Sequence, residues 1–308
     1  MFLKYICISA QAVQIHSSIS SPASQNLKPA ENSCSRKTAV YTIFGTNGSC
    51  FSFFTGDCMI LCDAHLHASQ CRPFEIAALC CSCAHSPREF LEQERIASEH
   101  PGSIVCAFGL HPQEPAMENA AFLESLLREK RISAVGEAGF DFFTAHLRQT
   151  EKEQREAFQT CLELALAYQV PLVIHDRKAL DSLFPYAFQL KKLPAVIFHS
   201  FAFGPQEARS LLRKGINCFF SFGSPLLAGS RKAAACVREL PLDMLLLETD
   251  APYQSLRRGQ PSSPSLIAAV YEKAAQIRGS RPEEISSGLH SSFLRAFKKI
   301  ADNSDCHN

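Results

Sequence analysis

The sequence predicts an α/β protein built as a (β/α)₈ TIM barrel, and three observations support this prediction. From residue 59 onward, eight short apolar runs alternate with longer amphipathic stretches. The apolar runs are uninterrupted, as expected of parallel strands that are buried on both faces. The chain has 308 residues, of which 46% are hydrophobic, so it is long enough for one such barrel and its core.

The predicted strands and helices follow one another along the chain. The strands are the apolar runs at 59–62, 76–83, 104–108, 132–135, 170–174, 195–198, 216–220 and 244–247. Apolar residues at helical spacing predict helices at 86–99, 117–130, 151–168, 206–213, 231–238, 264–278 and 282–300. A doubly wound open sheet is the alternative, although the sequence has no glycine-rich phosphate loop that would support it.

The first 58 residues do not continue this pattern. Residues 17–56 are rich in Ser, Asn, Thr and Gly without a helical or strand period, so we expect 1–58 to form an irregular or disordered extension. The apolar segment near the N-terminus is short and interrupted, which disfavours a signal peptide. The barrel domain is predicted at 59–302, with a tail at 303–308. Because the first strand begins at Met59, we hypothesise that Met59 is the biological start and that 1–58 is dispensable.

Composition restricts the functional classes. A formal net charge of +1 does not suit a protein that covers a duplex through counterion release, although arginines and metals can still bind a few phosphates. No apolar run is long enough to cross a bilayer. Many of the 14 cysteines lie within apolar runs, so we expect buried free thiols in a reducing cytoplasm. The sequence gives no sign of a membrane association or of an obligate protein partner.

Potential metal ligands follow five of the predicted strands, on the barrel face where TIM-barrel enzymes have their active sites. They are His65 and His67 after the first strand, Glu137 after the fourth, His175 and His199 at the ends of the fifth and sixth, and Asp250 beyond the eighth. His65 and His67 are two residues apart in an extended segment, so they point the same way. Four imidazoles and two carboxylates on one rim would be costly to bury without a metal.

The number of potential ligands favours two divalent metal ions. Six ligands exceed the needs of one four-coordinate site, whereas two ions that share a bridging carboxylate would use them all. Glu137 is the candidate bridge because it lies midway around the barrel. The histidine content favours Zn²⁺, Mn²⁺ or a similar ion over Mg²⁺ alone, so the candidate ions are Zn²⁺, Mn²⁺ and Mg²⁺.

Six motifs resemble those of the TatD family of metal-dependent hydrolases, in the same order and with similar spacing over residues 59–301. They read Asp63-Ala-His65-Leu-His67, Gly109-Leu-His111-Pro112, Gly136-Glu137-Ala-Gly139-Phe-Asp141, Pro171-Leu-Val-Ile-His175-Asp-Arg177, His199-Ser-Phe201 and Glu248-Thr-Asp250-Ala-Pro252. The resemblance implies an amidohydrolase-like barrel that acts as a cytoplasmic deoxyribonuclease on DNA or nucleotide ends, with 3'-5' exonuclease character. The chain departs from the family pattern at Ser200, where Cys is usual, and in the loop after Pro252.

The resemblance also implies roles for individual residues. His65, His67, Glu137 and Asp250 would bind one metal, and Glu137, His175 and His199 the second. Asp250 and Glu137 would be catalytic, acting with a metal-activated water, and Asp141 would orient a ligand histidine. The expected substrate contacts are Arg177, His111, Tyr253 and Arg258. Arg177 would bind a phosphate bidentately and Tyr253 would stack on a base, while ordinary structural roles stay open for His111, Tyr253 and Arg258.

Two other functions fit the same sequence. The barrel and metals could instead hydrolyse an ester or amide bond, as an aminoacyl-tRNA deacylase or a small-molecule amidohydrolase. A non-enzymatic scaffold with this fold is expected to have lost ligands. All six potential ligands are present here, which disfavours the scaffold.

Overall fold

The computed structural model of the protein describes residues 40–44, 50–54 and 59–297. The chain divides into two units, Met1–Cys58 and Met59–Asn308. In the first unit, β1 (Val40–Phe44) and β2 (Cys50–Phe54) form an antiparallel pair. The predicted irregular extension and C-terminal tail lie mostly outside the described residues. The predicted domain limits and the proposed start at Met59 therefore stay predictions.

The second unit contains eight parallel strands that are hydrogen-bonded in sequence order. They are β3 (Cys62–Leu66), β4 (Leu79–Ala84), β5 (Ile104–Phe108), β6 (Ala134–Asp141), β7 (Leu172–Arg177), β8 (Val196–Phe198), β9 (Cys218–Phe222) and β10 (Leu245–Leu247). Backbone hydrogen bonds also join the first of these strands to the segment after the last. The amide of Asp250 donates to the carbonyl of His65 at 2.9 Å, and the amide of His67 donates to the carbonyl of Ala251 at 2.8 Å. These bonds connect the two edges, so the predicted (β/α)₈ barrel is confirmed.

Helices follow the strands along the chain. They are α1 (Pro87–Glu99), α2 (Ala120–Arg128), α3 (Ala145–Gln149), α4 (Glu151–Tyr168), α5 (Ala187–Leu190), α6 (Pro205–Arg213), α7 (Ser224–Leu227), α8 (Arg231–Glu239), α9 (Ile267–Arg278) and α10 (Pro282–Ala296). The sequence predicted the seven longer ones. It did not predict α3, α5 and α7, since one turn of helix is too short to show an apolar period.

Most of the strands lie further along the chain than predicted. The fourth barrel strand was predicted at 132–135, but β6 extends to Asp141, and β7 extends to Arg177 instead of 174. A prediction from apolar runs ends at the first polar residue, whereas these strands continue through polar side chains that line the site. Glu137 and His175 therefore lie within strands. His175 is paired with Gly139, whereas the register between β6 and β7 shifts between Val135 and Ala138, around Glu137.

Two apolar layers flank the sheet. Small side chains fill the barrel interior, including Ala64, Cys81 and Cys83, and two aromatic residues near the end of α10, Phe293 and Phe297, pack against them. A larger cluster lies between the strands and the surrounding helices. In the part of the chain from 59 to 297, all nine cysteines are free and buried, as the sequence predicted for these positions.

Within the described residues, none of the helices has both the length and the apolar character needed to span a bilayer.

Candidate metal centre

The barrel brings the six predicted ligands together on one face. His65, Glu137 and His175 lie in β3, β6 and β7. The other three, His67, His199 and Asp250, come within three residues after the ends of β3, β8 and β10. All six are at least nine-tenths buried. Neighbouring strands thus deliver side chains that are far apart in sequence to one buried cluster.

The histidine pair of β3 is oriented by β4. The Nδ1 atom of His67 lies 3.2 Å from the carbonyl oxygen of Cys83, and Nδ1 of His65 lies 3.5 Å from Cys83 Sγ. Because a carbonyl oxygen only accepts, Nδ1 of His67 carries the proton and its Nε2 has a free lone pair. The Nε2 atoms of the two rings face each other at 3.3 Å.

These two nitrogens form a compact group with two carboxylates. His65 Nε2 lies 3.5 Å from Glu137 Oε2 and 3.6 Å from Asp250 Oδ1. His67 Nε2 lies 3.5 Å from each of the same two atoms. Ligands about 2.1 Å from a tetrahedral ion are separated by about 3.4 Å, so this spacing suits a transition-metal ion.

The other oxygen of Glu137 faces a second histidine pair. Glu137 Oε1 lies 2.6 Å from His199 Nε2 and 3.4 Å from His175 Nδ1, and these two nitrogens are 3.0 Å apart. On the far side of its ring, His175 Nε2 lies 3.2 Å from Asp141 Oδ2. Asp141 thus contacts the side of the ring opposite Glu137, and the orienting role expected for it stays a prediction.

The charges of these groups favour a bound cation. Burial raises the pKa of Glu137, but His199, His65 and the neighbouring histidines outweigh it and hold the pKa well below its usual value. Burial also raises the pKa of Asp250, yet His67 and His65 lower it overall. Burial lowers the pKa of His175, but its bonds to Asp141 and Glu137 bring it to about 9. The buried cluster therefore contains ionised carboxylates, whereas burial lowers the pKa of His199 to about 4 and keeps that ring neutral.

Two further contacts position Asp250. Asp63 accepts hydrogen bonds from the amide and the hydroxyl of Thr249, at 3.0 and 2.6 Å, which attaches β3 to the chain just before Asp250. The side-chain amide of Gln254 donates to Asp250 Oδ2 at 2.6 Å and also to the Ser200 hydroxyl. Oδ2 is thus occupied while Oδ1 faces the histidine pair. Gln254 was not predicted from the sequence, because its contact depends on the backbone of the loop after Pro252.

Two more histidines lie beside Glu137. His111 was predicted from its motif, and its Nε2 lies 3.8 Å from Glu137 Oε1. His85 was not predicted, yet its Nε2 lies 3.0 Å from Glu137 Oε2. His85 directly follows the end of β4, so the strand-end criterion that identified the other ligands could have found it.

A cavity of about 1200 Å³ opens onto this cluster. Its lining includes His111, Arg177 and Tyr253, three of the four predicted substrate contacts. Arg258, the fourth, is exposed in the loop after β10. Among the residues that the structure describes, it is not one that lines the cavity. Tyr253 is half-exposed at the rim, and its hydroxyl donates to Gln70.

Arg177 lies beside an exposed aromatic ring. Its Nη1 is 3.8 Å from Asp141 Oδ2, and its guanidinium lies 4.1 Å from the centre of the Phe143 ring. The ammonium of Lys178 lies 4.5 Å from the same ring centre. Phe143 is half-exposed, and it was not predicted from the sequence because the motif does not show exposure. Arg177, which lines the cavity, therefore has an aromatic ring and a second cation next to it.

The donor set fits divalent metal ions. The buried atoms Glu137 Oε2, His85 Nε2 and His199 Nδ1 form no hydrogen bond within the described residues. Four overlapping groups of three donors could each hold an ion. They are His65 with His67 and Asp250, His65 with Glu137 and His199, His67 with His85 and Glu137, and His111 with Glu137 and His175. Nitrogen lone pairs that face one another beside ionised oxygens are stabilised by a cation among them.

An eight-stranded barrel with buried His and carboxylate ligands at its strand ends defines the class of metal-dependent hydrolases. The model of the TatD related DNase family matches residues 62–298. The chain therefore belongs to this family, as its six motifs predicted, and it is an enzyme of the metal-dependent hydrolase class.

Individual relatives agree with this assignment. The metal-dependent hydrolase YabD of Bacillus subtilis is 30% identical over 204 residues, which cover 63% of this chain and 78% of the relative. The 3'-5' ssDNA/RNA exonuclease TatD of Cronobacter sakazakii is 31% identical over 206 residues, which cover 63% of this chain and 76% of the relative. The crystal structure of YjjV, a TatD homologue from Escherichia coli, is 25% identical with a TM-score of 0.68. The matched region covers 77% of this chain and 98% of the YjjV chain.

Proposed function

We propose that the protein binds two divalent metal ions and hydrolyses phosphodiester bonds at the 3' ends of single-stranded nucleic acid. The observation that carries this proposal is the position of Glu137 between two histidine pairs. One oxygen lies 3.5 Å from both histidines of β3, and the other faces His175 and His199. A carboxylate with this environment is suited to bridge two ions.

Each ion would have its own ligands. His65, His67 and Asp250 would hold the first with Glu137 Oε2, and His175 and His199 the second with Glu137 Oε1. When bound, such a pair of ions would lower the pKa of water and stabilise charge on the phosphoryl oxygens. The imidazole-rich set favours Zn²⁺ or Mn²⁺ over Mg²⁺ alone.

Asp250 is the proposed general base. It is ionised, and its Oδ1 faces the cluster while the bond from Gln254 to Oδ2 prevents the carboxylate from rotating away. A carboxylate in this position can orient a water molecule toward phosphorus and accept its proton. Asp250 can then return this proton to the leaving oxygen, and His111, which lines the same cavity close to Glu137, can donate a hydrogen bond to that oxygen.

The rim of the cavity suits a single-stranded substrate. Arg177 presents a guanidinium that can bind a phosphate bidentately. The half-exposed rings of Phe143 and Tyr253 offer surfaces on which unpaired bases can stack, and the two cations beside Phe143 would attract the backbone. The cavity of about 1200 Å³ is closed at its base by the buried ligands, which favours a chain end over the middle of a duplex. The name of the Cronobacter relative describes the same class of substrate.

We also propose that the protein works in a reducing compartment such as the cytoplasm. The nine cysteines of the 59–297 region are free and buried. Burial raises the pKa of Cys161 and Cys106 to about 12, so these thiols are protonated and unreactive at neutral pH. A secreted protein with this many cysteines would ordinarily pair them.

A panel of substrates tests the proposed function. The full-length chain, stripped of metal and then loaded with Mn²⁺ or Zn²⁺, would be incubated with 5'-labelled single-stranded DNA, duplex DNA, RNA and aminoacyl-tRNA. We expect mononucleotides to be released from the 3' ends of the single strands, and a chelator to abolish this. Release of the amino acid from charged tRNA with intact DNA would instead establish the deacylase. Activity that resists the chelator would contradict metal catalysis.

A further inference from the structure

The unassigned histidine at the end of β4 carries an inference about the metal centre, which rests on the proposed function. We propose that His85 is an additional metal ligand, which binds together with His67 and Glu137 Oε2 on the side of the centre formed by β3 and β4. It would give the first ion a third imidazole, and it would shift the preference of that ion toward Zn²⁺ and away from Mg²⁺.

The distances meet the requirement for a shared ion. His85 Nε2 lies 3.0 Å from Glu137 Oε2, the separation of two ligands at about 2.1 Å from an ion and about 90° apart. His67 Nε2 lies 3.5 Å from the same oxygen. One donor atom from each of these three residues lies within 4.8 Å of the other two.

The orientation of the two closest atoms indicates a missing partner. Both His85 Nε2 and Glu137 Oε2 are buried, and within the described residues neither forms a hydrogen bond. They are close enough for such a bond, but they do not meet its angular requirement. Two buried polar atoms that converge without bonding to each other would be costly unless a third group lies between them. A cation satisfies the lone pairs of both.

The backbone of His85 is held firmly in this position. Its amide donates to Glu89 Oε2 at 2.9 Å, and its carbonyl accepts a bond of 3.4 Å from the side chain of Asn119. Ser86 caps α1 by accepting from the amide of Glu89 at 3.3 Å. Gln70 donates to the other oxygen of Glu89 at 3.0 Å, so the acceptor of the His85 amide is itself fixed. A ligand held in this way loses little entropy on binding a metal.

Metal binding tests the proposal without reference to activity. Full-length wild-type chain, His85→Gln and the control His146→Gln, whose histidine is exposed on α3, would be stripped of metal and titrated with Zn²⁺ against a chromogenic chelator. We expect His85→Gln to bind one Zn²⁺ at least about 10-fold more weakly, with a smaller loss for Mg²⁺, and the control to match the wild type. Equal Zn²⁺ affinity of His85→Gln and wild type would overturn the proposal.

A second measurement separates ligation from mere positioning of Glu137. In the Co²⁺-loaded protein, each coordinated imidazole gives a hyperfine-shifted exchangeable N–H resonance, and His85→Gln should lose one of them. His85→Asn should lose the same resonance, which remains informative if the glutamine variant folds poorly. Unchanged resonances in both variants would show that His85 is not a ligand. If the wild type bound no divalent ion, the proposed function would fail as well, whereas normal binding by every variant would refute only the role of His85.

Discussion

At the scale of single residues, groups on the far side of their rings orient two histidines of the candidate metal centre. The Cys83 carbonyl assigns the proton of His67 to Nδ1, and Asp141 assigns that of His175 to Nε2. The sequence predicted these ligands because each lies near the end of an apolar strand. It could not predict Cys83 as the acceptor, since that contact depends on the register between β3 and β4.

The substitution Asp250→Asn tests the proposed base. The amide is similar in size but is neutral, so it binds a cation more weakly and cannot accept a proton from water. We expect turnover of single-stranded DNA to fall by about 100-fold or more, with an unchanged circular dichroism spectrum. The control is Asp243→Asn, at an exposed carboxylate, which should leave the rate unchanged. Near wild-type turnover by Asp250→Asn would refute this role.

The substitution Arg177→Ala tests the proposed phosphate contact. Loss of hydrogen bonds to a charged group costs about 1.5–3 kcal/mol, so KM for the oligonucleotide should rise about 10- to 100-fold. The metal content of the protein, measured by inductively coupled plasma mass spectrometry, should not change. A matched control is Arg213→Ala, whose arginine is exposed on α6. Because Arg177 lies 3.8 Å from Asp141, a fall in metal content would instead assign it a structural role.

At the scale of elements, the close packing of β6 against its neighbours determines where the ligands lie. The sequence predicted the existence and order of the eight barrel strands, since continuous apolar runs are typical of buried parallel strands. It placed the end of β6 too early, because Glu137 and Asp141 are polar but buried in the strand. The close approach of β7 explains why the motif of β6 has a glycine at position 139. The φ of Gly139 is +151°, and a Cβ there would lie 2.0 Å from the carbonyl oxygen of His175.

The substitution Gly139→Ala should therefore separate β6 from β7. We expect the free energy of unfolding to fall by about 3 kcal/mol, from steric overlap and backbone strain together, as measured by urea denaturation. The control is Gly259→Ala, where φ is +77° but nothing lies within 4 Å of the added Cβ. Its cost should be about 1 kcal/mol, from the backbone conformation alone. Equal losses in the two variants would argue against the close approach of the strands.

At the scale of the whole molecule, closure of the barrel brings residues that are far apart in sequence into one candidate metal centre. The sequence predicted six ligands, and the structure brings all six together because the bonds between His65 and Asp250 join the first strand to the segment after the last. The surroundings of the cavity could be predicted only in part. The positions of Phe143 and Gln254 depend on the conformation of loops, which has no period in the sequence.

Removal of residues 1–58 tests the predicted independence of the barrel. The chain divides into units at this boundary, and every proposed ligand lies after it. We expect the 59–308 fragment to fold with the same melting temperature and to bind the same number of metal ions as the full chain. Aggregation of the fragment, or loss of a bound ion, would show that the N-terminal segment supports the barrel. Intact-mass analysis of the native protein would establish whether the segment is present at all.

The central claim is that Glu137 is shared by two divalent ions, and calorimetric titration of the metal-stripped full-length chain tests it most directly. The account predicts that two ions of Mn²⁺ or Zn²⁺ bind per chain, and that Glu137→Gln weakens both because one carboxylate contacts both histidine pairs. A stoichiometry of one, or a Glu137→Gln variant that loses affinity for only one ion, would contradict the shared centre.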